Sequence, residues 1–360
     1  MLSPEEYQRY NRQMLMPEFG ISGQEKLKNA KVLVIGCGGL GSPILLYLTA
    51  AGVGTLGIVE NDTVDVSNLQ RQILYSSLSV GYDKVLETAK RLSALNPLVK
   101  INQYPTRLSA ENALKIIENY DIVVDGTDNF PTRYLVNDTC VLLNKPFVYG
   151  AIHRFEGQVA VFNHRGSATY RDLFPIPPPP EQAPNCAEAG VLGVLPGIIG
   201  SMQALEAIKV ITDIGEPLSG KLLVIDTLSM QSRIIKIPKM PDTPKIMQLI
   251  DYEAFCDSSE LENTGKITFD ALKNLADYQL IDVREVHEYT IQNLGGELMP
   301  LSALEKYVPK ISRNKTVVVH CQSGVRSLKA IKILETQYGF TNLVNLTGGV
   351  NLVLSDRMSE

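Results

Sequence analysis

Cysteine is scarce in this sequence, and its spacing excludes two common uses of the residue. The five cysteines lie far apart, at positions 37, 140, 186, 256 and 321, and no two of them form a C-x-x-C pair. An odd number of widely spaced cysteines argues against a disulfide framework, and the missing pairs argue against a structural zinc site made of thiolates. We therefore expect any functional cysteine to act as a reduced thiol.

The sequence also lacks a strong excess of either charge. It has 34 basic and 39 acidic side chains, a formal net charge of -5, 44% hydrophobic residues and 20% charged residues. This composition is typical of a globular protein without the basic surface that attracts nucleic acid or an anionic membrane. We expect no nucleic-acid partner.

Long hydrophobic runs are missing as well. Residues 1–13 (MLSPEEYQRYNRQ) contain acidic residues and no apolar core of the signal-peptide type, and no uninterrupted apolar run is long enough to cross a bilayer. The expectation is a cytoplasmic protein with no membrane partner. A chain of 360 residues is long enough for two or three domains, each with its own core.

The most informative stretch is Lys31–Ser42, KVLVIGCGGLGS. Val32 to Ile35 predict a buried parallel strand. The four glycines that follow, at 36, 38, 39 and 41, let the backbone turn tightly and present N–H groups to a phosphate at the start of a helix. Glu60, at the end of the next predicted strand, lies where dinucleotide-binding folds place an acidic residue for the ribose. The pattern predicts a nucleotide site, with a tight turn that only packs a helix on a strand as the alternative.

Strands and helices alternate after a helical stretch at 3–28. The pattern predicts an α/β fold with a mostly parallel sheet and helices on both faces, whose ligands bind beyond the carboxyl ends of the strands. Two later segments, 221–227 and 232–238, predict a hairpin that closes the domain. The predicted strands are 31–36, 55–60, 99–104, 121–126 and 146–151, and the predicted helices are 42–52, 82–95, 110–119 and 130–143.

Charged residues follow the predicted strands. Arg71 and Lys84 can clamp phosphate oxygens, and Asp128 can hold magnesium or position a leaving pyrophosphate. Each residue singly could be an ordinary surface charge. A basic pair, an acidic residue and a glycine loop at one edge of one sheet favour a joint site.

Five motifs in order resemble the MoeB/ThiF/HesA family of ubiquitin-activating-like adenylyltransferases, over about residues 5–256. They are GxGGLGS, DxVxxSNLxRQ, the lysine that follows it, DGTDNF, and CAEAGVLGVLPGIIGSMQALEAIK. The resemblance implies that the protein binds ATP with magnesium and adenylates the C-terminal glycine of a small ubiquitin-like protein, releasing pyrophosphate.

The resemblance also implies a set of site residues. Glu60 would bind the ribose, and Asp128 would act with magnesium. Arg12 matches an arginine that family members extend into the partner subunit's site, so a homodimer with composite sites is implied. The other implied ATP-site residues are Gly36, Gly38, Gly39, Gly41, Ser67, Asn68, Arg71, Lys84 and Asn129.

Two positions depart from the family pattern. Glu60 stands where the family usually has Asp, and we expect the ribose contact to survive the extra methylene. Family members commonly hold zinc with two C-x-x-C pairs, but the aligned segments here are Thr169-Tyr-Arg-Asp172 and Met240-Pro-Asp-Thr243. Neither segment can bind zinc through thiolates. We expect no structural zinc, and a corner held by packing instead.

A proline-rich stretch within residues 163–190 ends near Cys186. Taken alone, it predicts a stiff spacer and a small buried cysteine. The family resemblance implies instead a crossover segment over which a partner's extended tail threads. It also implies a cysteine able to form a transient bond to the activated carrier or to a persulfide.

A second domain follows a proline-rich and polar linker. We place the first domain at 1–245, the linker at 246–262 and the second domain at 263–360. The motifs IDVRE (281–285) and VHCQSGVRS (319–327) resemble a rhodanese (sulfurtransferase) domain. Departures at 292–294 and in GGVNLV, which lacks the family's tryptophans, leave its substrate range open.

Cys321 follows a predicted buried strand and begins a short loop before a helix. Backbone N–H groups of that loop and the charge of Arg326 favour a thiolate and an anionic persulfide. Asp282 and Arg284 either pair with each other or with the loop, or make a direct contact at the site, and His320 is expected to be packed. The predicted persulfide loop is Gln322, Ser323, Gly324, Val325 and Arg326.

The two domains together resemble MoeB–rhodanese fusions. ATP would activate the carrier's terminal Gly-Gly, Cys321 would be charged with sulfur by thiosulfate or a cysteine desulfurase, and Cys186 would help to release a thiocarboxylate. Molybdopterin, thiamine, tRNA-thiolation and cysteine routes remain open. One alternative is an adenylyltransferase whose rhodanese domain only docks a partner. An NAD-linked oxidoreductase is disfavoured, because the SNLQRQ and DGTDN loops place charges where a nicotinamide needs an apolar pocket.

Overall fold

The chain folds as two compact units in a computed structural model that describes residues 1–175, 177, 190–241, 243, 245–257, 265–322 and 324–350. The described residues up to 257 form the first unit, and those from 265 onward form the second.

An eight-stranded sheet forms the centre of the first unit. Its strands are β1 (Lys31–Ile35), β2 (Thr55–Val59), β3 (Lys100–Tyr104), β4 (Ile122–Asp125), β5 (Phe147–His153), β6 (Glu156–Phe162), β7 (Lys221–Asp226) and β8 (Gln231–Lys236). The spatial order is β3-β2-β1-β4-β5-β6-β7-β8. Strands β1 to β5 pair in parallel, and β5 to β8 pair antiparallel. The predicted α/β class and the closing hairpin are confirmed.

Helices cover both faces of this sheet, because successive side chains of a buried strand point to opposite faces. Val32 and Val34 belong to one apolar core, whereas Leu33 and Ile35 belong to the other. The helices are α1 (Pro4–Met14), α2 (Gly20–Asn29), α3 (Gly41–Ala51), α4 (Lys84–Leu95), α5 (Ala113–Ile117), α6 (Phe130–Leu142), α7 (Tyr170–Leu173), α8 (Val194–Thr212) and α9 (Tyr252–Asp257).

The predicted N-terminal helical stretch is divided into α1 and α2. Ser3 and Glu6 form a capping box that starts α1. Pro17 lies between the two helices and has no backbone N–H, and Gly20 has a φ of +56°. These two residues end one helix and reorient the chain for the next.

Helix α8 is long and apolar enough, by length and composition alone, to cross a membrane. It does not contain an uninterrupted apolar run, because Gln203, Glu206 and Lys209 lie within it. Leu195 and Ile199 of this helix belong to one apolar core of the sheet. Its packing is that of a core helix of the domain.

The last segment of the first unit lies within the predicted linker. The structure instead shows a short helix, α9, in which Tyr252 is buried and donates its hydroxyl to Asp138 Oδ2 over 2.8 Å. Arg171 binds the same carboxylate, and the ring of Phe255 packs edge-on against Tyr134. Residues 252–257 are thus anchored on α6.

The second unit is a smaller α/β domain, as predicted, and its sheet has five parallel strands. Its strands are β9 (Gly265–Ile267), β10 (Tyr278–Asp282), β11 (Glu297–Leu298), β12 (Thr316–His320) and β13 (Leu343–Leu346). Their order is β11-β10-β12-β13-β9. Its helices are α10 (Phe269–Lys273), α11 (Val286–Ile291) and α12 (Val325–Tyr338), with a 3₁₀ segment at Leu301–Lys310. The carboxyl ends of β10 and β12 are adjacent, which places Asp282 beside His320.

Candidate functional site

The glycine loop joins β1 to α3, and two of its glycines are required by close backbone contacts. Gly36 has a φ of +90°, and a Cβ there would lie 3.0 Å from the carbonyl oxygen of Gly126. A Cβ on Gly41 would lie 2.0 Å from the carbonyl oxygen of Gly36, so the turn cannot accept one. Gly39 lies against the ring of Pro196.

Gly38 differs from its neighbours because it faces open space. A Cβ there would meet one atom within 4 Å, the Gln72 Nε2 at 3.7 Å. Gln72 is 4% exposed, and its Oε1 has no hydrogen-bond partner among the described residues. A buried polar atom without a partner costs free energy unless a ligand or water satisfies it. The loop therefore has an open side lined by an unsatisfied carboxamide.

The carboxylate of Glu60 is held against the glycine loop. Its Oε2 accepts the N–H of Cys37 at 3.0 Å, and its Oε1 accepts those of Asn61 and Asp62 at 2.8 and 3.1 Å. A carboxylate has about four lone-pair positions, so three bonds leave room for one hydroxyl. The extra methylene of Glu is accommodated by this folded-back arrangement.

The basic residues lie beside the same sheet edge. Lys84 begins α4, is 5% exposed, and places its Nζ 3.0 Å from Asp62 Oδ2. Arg71 donates from Nη1 to the carbonyl of Ser67 at 3.1 Å. Because Asp62 also donates its N–H to Glu60, the structure joins Lys84, Asp62 and Glu60 in one network.

The segment before Arg71 is pre-folded. Ser67 and Asn68 lie in a 3₁₀ turn, Val66–Asn68, capped by Asp65. The N–H of Ser67 donates to Asp65 Oδ1, and the hydrogen bond from Ser67 lowers the pKa of Asp65. Asn68 Oδ1 accepts the N–H of Asp65. The turn therefore fixes the backbone that carries Arg71.

The DGTDN loop after β4 is organised by a buried ion pair that the sequence analysis did not identify. Asp125 is fully buried and accepts bonds from Arg133 Nε, at 3.2 Å, and from the N–H and hydroxyl of Thr127. Burial raises the pKa of Asp125. Its recognisable signal is an Asp at a strand end with an Arg eight residues later, in the first turn of the next helix.

That ion pair positions the two predicted residues of the loop. Asp128 is exposed, whereas Asn129 caps α6 by accepting the N–H of Thr132 at 2.9 Å. A Cβ on Gly126 would lie 2.8 Å from the Gly36 carbonyl oxygen, so the loop runs against the glycine loop. The structure therefore brings the DGTDN and glycine loops together.

Arg12 does not join this site within the chain. It is exposed in the last turn of α1, and its neighbour Gln13 donates to the carbonyl of Ala51 at the C-terminal end of α3. The glycine loop lies at the other end of this 11-residue helix, about 16 Å away along the axis. An arginine at that place cannot reach its own glycine loop.

The corner that aligns with the zinc-binding pairs is joined by a carboxylate. Asp172 Oδ1 accepts the N–H of Met240 at 2.9 Å and the hydroxyl of Thr243 at 2.5 Å, and its Oδ2 accepts the N–H and hydroxyl of Thr169. Although burial opposes it, this set of hydrogen bonds lowers the pKa of Asp172. The expectation of packing alone was incomplete, because hydrogen bonds join the two segments directly.

Metal-binding clusters are not preformed in the described parts of the chain. No group of three or more His, Cys, Asp or Glu side chains there could hold a metal ion. Magnesium that enters with a nucleotide usually takes one or two carboxylates and the phosphates themselves. The exposed carboxylate of Asp128 fits that kind of ligand.

The second candidate site is the loop at the end of β12. Cys321 is buried, and its Sγ accepts the N–H of Gly324 at 3.2 Å and faces the hydroxyl of Ser327 at 3.6 Å. The thiol therefore has two hydrogen-bond donors that can serve a sulfur anion. Cys186 and Ser323 lie outside the described residues, as does the side chain of Val325.

Charged side chains around this loop form pairs. Arg284 binds Asp282 through two nitrogens and donates from Nη1 to Gln322 Oε1 at 2.8 Å. Arg326 makes two bonds of 2.7 Å to Glu288, and these hold the pKa of Glu288 at about 2. The positive charge of Arg326 is thus shared with Glu288.

His320 precedes the cysteine and is fully buried. Burial lowers its pKa, so the imidazole is neutral near pH 7. Neither ring nitrogen has a hydrogen-bond partner among the described residues, and Nε2 lies 3.9 Å from Asp282 Oδ2. This is the packed position expected for a strand residue that faces the core.

Comparisons with known proteins identify both domains. The ThiF family model matches residues 10–245, and the rhodanese-like domain model matches residues 268–356. The chain is 46% identical to the probable adenylyltransferase/sulfurtransferase MoeZ of Mycobacterium tuberculosis, with 97% of this chain and 93% of that protein covered. It is 56% identical to the sulfur carrier protein adenylyltransferase of Thermus thermophilus, with 70% of this chain and 97% of that protein covered.

Solved structures of Escherichia coli MccB share the fold over about two thirds of this chain. The structure of MccB with ATP has a TM-score of 0.58 and 23% sequence identity, and covers 65% of this chain and 72% of that one. At this identity the likeness concerns the fold alone.

Proposed function

Since the chain belongs to the ThiF family and carries a rhodanese-like domain after it, we propose that its two domains act in succession on a ubiquitin-like sulfur-carrier protein ending in Gly-Gly. The first domain, an adenylyltransferase, activates the C-terminal carboxylate with ATP. The second, a sulfurtransferase, supplies the sulfur. The observation that carries the proposal is the presence in one chain of an open-sided glycine loop and a buried thiol with two hydrogen-bond donors.

The groups beyond the carboxyl ends of the strands in the first unit are suited to adenylation. The carrier's carboxylate is already an anionic nucleophile and needs no side-chain base. Its attack on the α-phosphorus of ATP forms a phosphorus–oxygen bond, pyrophosphate leaves, and negative charge develops on the phosphate oxygens. Lys84 and Arg71 supply cations there, and the backbone N–H groups of the glycine loop supply fixed dipoles.

The remaining contacts of ATP follow from the same arrangement. Glu60, already oriented by three backbone N–H groups, would accept a ribose hydroxyl. Ser67, Asn68 and Asn129 would border the phosphates. Magnesium bound with the nucleotide would neutralise phosphate charge, and Asp128 would be its protein ligand.

Sulfur transfer follows from the position of Cys321. The thiolate attacks the outer sulfur of thiosulfate or of a cysteine desulfurase persulfide, the sulfur–sulfur bond of the donor breaks, and sulfite or the desulfurase thiolate leaves. The terminal sulfur then attacks the activated acyl carbon, the bond to AMP breaks, and an acyl persulfide forms. A second thiol, Cys186 by family resemblance, attacks Sγ of Cys321, which releases the carrier thiocarboxylate and leaves a disulfide for an external thiol to reduce.

The position of Arg12 supports a homodimer. Because α3 separates Arg12 from the glycine loop of its own chain, its side chain is available to the site of a second copy. A composite site would bring one more cation to the phosphates without rearranging either chain. The proposed assembly is a cytoplasmic homodimer with two equivalent adenylation sites.

The test is the intact mass of candidate carriers ending in Gly-Gly after incubation with the protein, ATP, magnesium and a sulfur donor. We expect a mass gain that matches replacement of one carboxylate oxygen by sulfur, and its loss in Cys321→Ala. Cys140→Ala is the matched control, because Cys140 is a buried thiol in α6 whose pKa is raised by burial. An unchanged yield in Cys321→Ala would favour a second domain that only docks the partner.

A further inference from the structure

The hydroxyl of Ser327 lies between the Cys321 thiol and the amide of Asn345. Its Oγ is 3.6 Å from Cys321 Sγ, 2.6 Å from Asn345 Oδ1 and 2.9 Å from the carbonyl oxygen of Gly324. Ser327 is fully buried and Asn345 is 4% exposed. A serine hydroxyl carries one proton, so it can serve only one of these acceptors at a time. The acceptor to which the Ser327 hydroxyl donates must therefore depend on whether the sulfur is protonated.

The two states of the sulfur require opposite hydrogen bonds. A neutral thiol can donate its S–H to Ser327 Oγ, and the hydroxyl then donates to Asn345 Oδ1. A thiolate or persulfide anion only accepts, so it needs the serine proton. A half-turn of the Asn345 carboxamide exchanges its oxygen for the NH₂ group, which then donates to Ser327 Oγ. The thiol proton itself goes to solvent, and no proton moves along the chain of bonds.

We propose that Asn345 and Ser327 form a reorientable hydrogen-bond relay that stabilises the sulfur anion carried by Cys321. The inference rests on the proposed role of Cys321 as the sulfur carrier. The N–H of Gly324 is a fixed donor, whereas the serine hydroxyl donates only when the sulfur is an anion. Ser327 contacts the reacting sulfur and is a catalytic residue, and Asn345 acts through it as a positioning residue.

The other charged groups that face the loop are held in ion pairs or buried. Asp282 and Arg284, from the end of β10, bind each other, and Arg326 on α12 binds Glu288 on α11. His320 on β12 has a pKa lowered by burial and is already neutral. These groups are the same in the unaltered protein and in the Ser327 variants. A difference in the alkaline pH dependence of sulfur transfer between those proteins therefore reports on the sulfur and its donors.

The experiment measures sulfur transfer from thiosulfate to cyanide by the full-length chain as a function of pH. We expect Ser327→Ala to lower kcat at pH 7 about tenfold and to move the rising limb of the pH–rate profile about one unit higher. Ser327→Thr keeps the hydroxyl and should restore both. Asn345→Leu should shift the limb in the same direction, and adding it to Ser327→Ala should have no further effect, because the two residues act as one unit.

Two outcomes separate the relay from the function on which it rests. Absence of transfer by the unaltered protein from both thiosulfate and a cysteine desulfurase persulfide, or retention of transfer in Cys321→Ala, would refute the role of Cys321 itself. Transfer that depends on Cys321, with an unshifted profile in Ser327→Ala, would refute only the relay. If Ser327→Ala does not fold, as thermal unfolding would show, an unshifted profile in Asn345→Leu decides against it equally.

Discussion

Replacing glycine by alanine should have different effects on stability at two positions of the glycine loop. In Gly41→Ala the new Cβ would lie 2.0 Å from the carbonyl oxygen of Gly36, at least 1 Å inside the 3.0 Å that real Cβ atoms keep. The obstructing atom belongs to the backbone and cannot rotate away. We expect a loss of about 1–3 kcal/mol or more in the free energy of unfolding of the first unit.

Gly38→Ala should fold normally. Its nearest neighbour would be Gln72 Nε2 at 3.7 Å, an ordinary contact, and Gly38 does not have a positive φ. Replacing glycine by alanine also reduces the entropy of the unfolded chain, so stability should be unchanged or higher by about 0.4–1 kcal/mol. The methyl group would instead occupy the open side of the loop, where we place the phosphates, and ATP use should fall at least tenfold.

The two variants are compared by thermal unfolding and by carrier-dependent release of pyrophosphate from ATP. Gly41→Ala should lose stability and activity together, whereas Gly38→Ala should keep its melting temperature and lose activity. A folded Gly38→Ala protein that uses ATP at the unaltered rate would show that the phosphates lie elsewhere. A fully stable Gly41→Ala protein would contradict the geometry of the turn itself.

Three further predictions follow from two half-buried carboxylates and from the place of Arg12. Asp172→Ala should lower the free energy of unfolding of the first unit by about 1–3 kcal/mol, while a zinc chelator should leave the melting temperature of the unaltered protein unchanged. Because the folded pKa of Glu288 is about 2 against an ordinary 4.5, its pair with Arg326 should contribute fully above pH 4.5 and be lost as the pH falls through 2. Solvent screening limits that contribution to about 1 kcal/mol. Denaturant unfolding at pH 2 to 7 should show that the free energy of unfolding depends less on pH in Glu288→Gln than in the unaltered protein. If sites are composite, a mixture of inactive Arg12→Ala and inactive Lys84→Ala proteins should regain part of the pyrophosphate release, and a mixture as inactive as its components would refute the shared site.

The strands and the glycine loop could be predicted because their signals are local. Val32 to Ile35 are buried on both faces, which leaves a continuous apolar run in the sequence. Gly36 and Gly41 stand where backbone atoms approach too closely for any side chain. Both causes act within a few residues, so a short window of sequence contains the evidence. The same holds for the cysteine loop, whose glycine at 324 has a φ of +99°.

Contacts between segments that lie far apart in the sequence could not be predicted in this way. Asp172 joins partners 68 and 71 residues away, and a single aspartate in a loop does not indicate which backbone it will bind. Helix α9 has six residues, fewer than two turns, which is too short for a 3.6-residue periodicity to separate it from a linker. Its stability comes from Asp138, buried on α6, which the sequence pattern shows only as one more polar residue.

Anchoring of α9 also changes how the two domains can cooperate. A linker that began at residue 246 would allow the second domain a wide search, but Tyr252 and Phe255 hold the chain on the first unit up to Asp257. The connection to Gly265 is then seven residues, which span at most about 25 Å when fully extended. A short tether raises the effective concentration of Cys321 near its own chain and limits the sites that it can reach. If the proposed homodimer forms, sulfur transfer within it is therefore favoured over transfer between separate molecules.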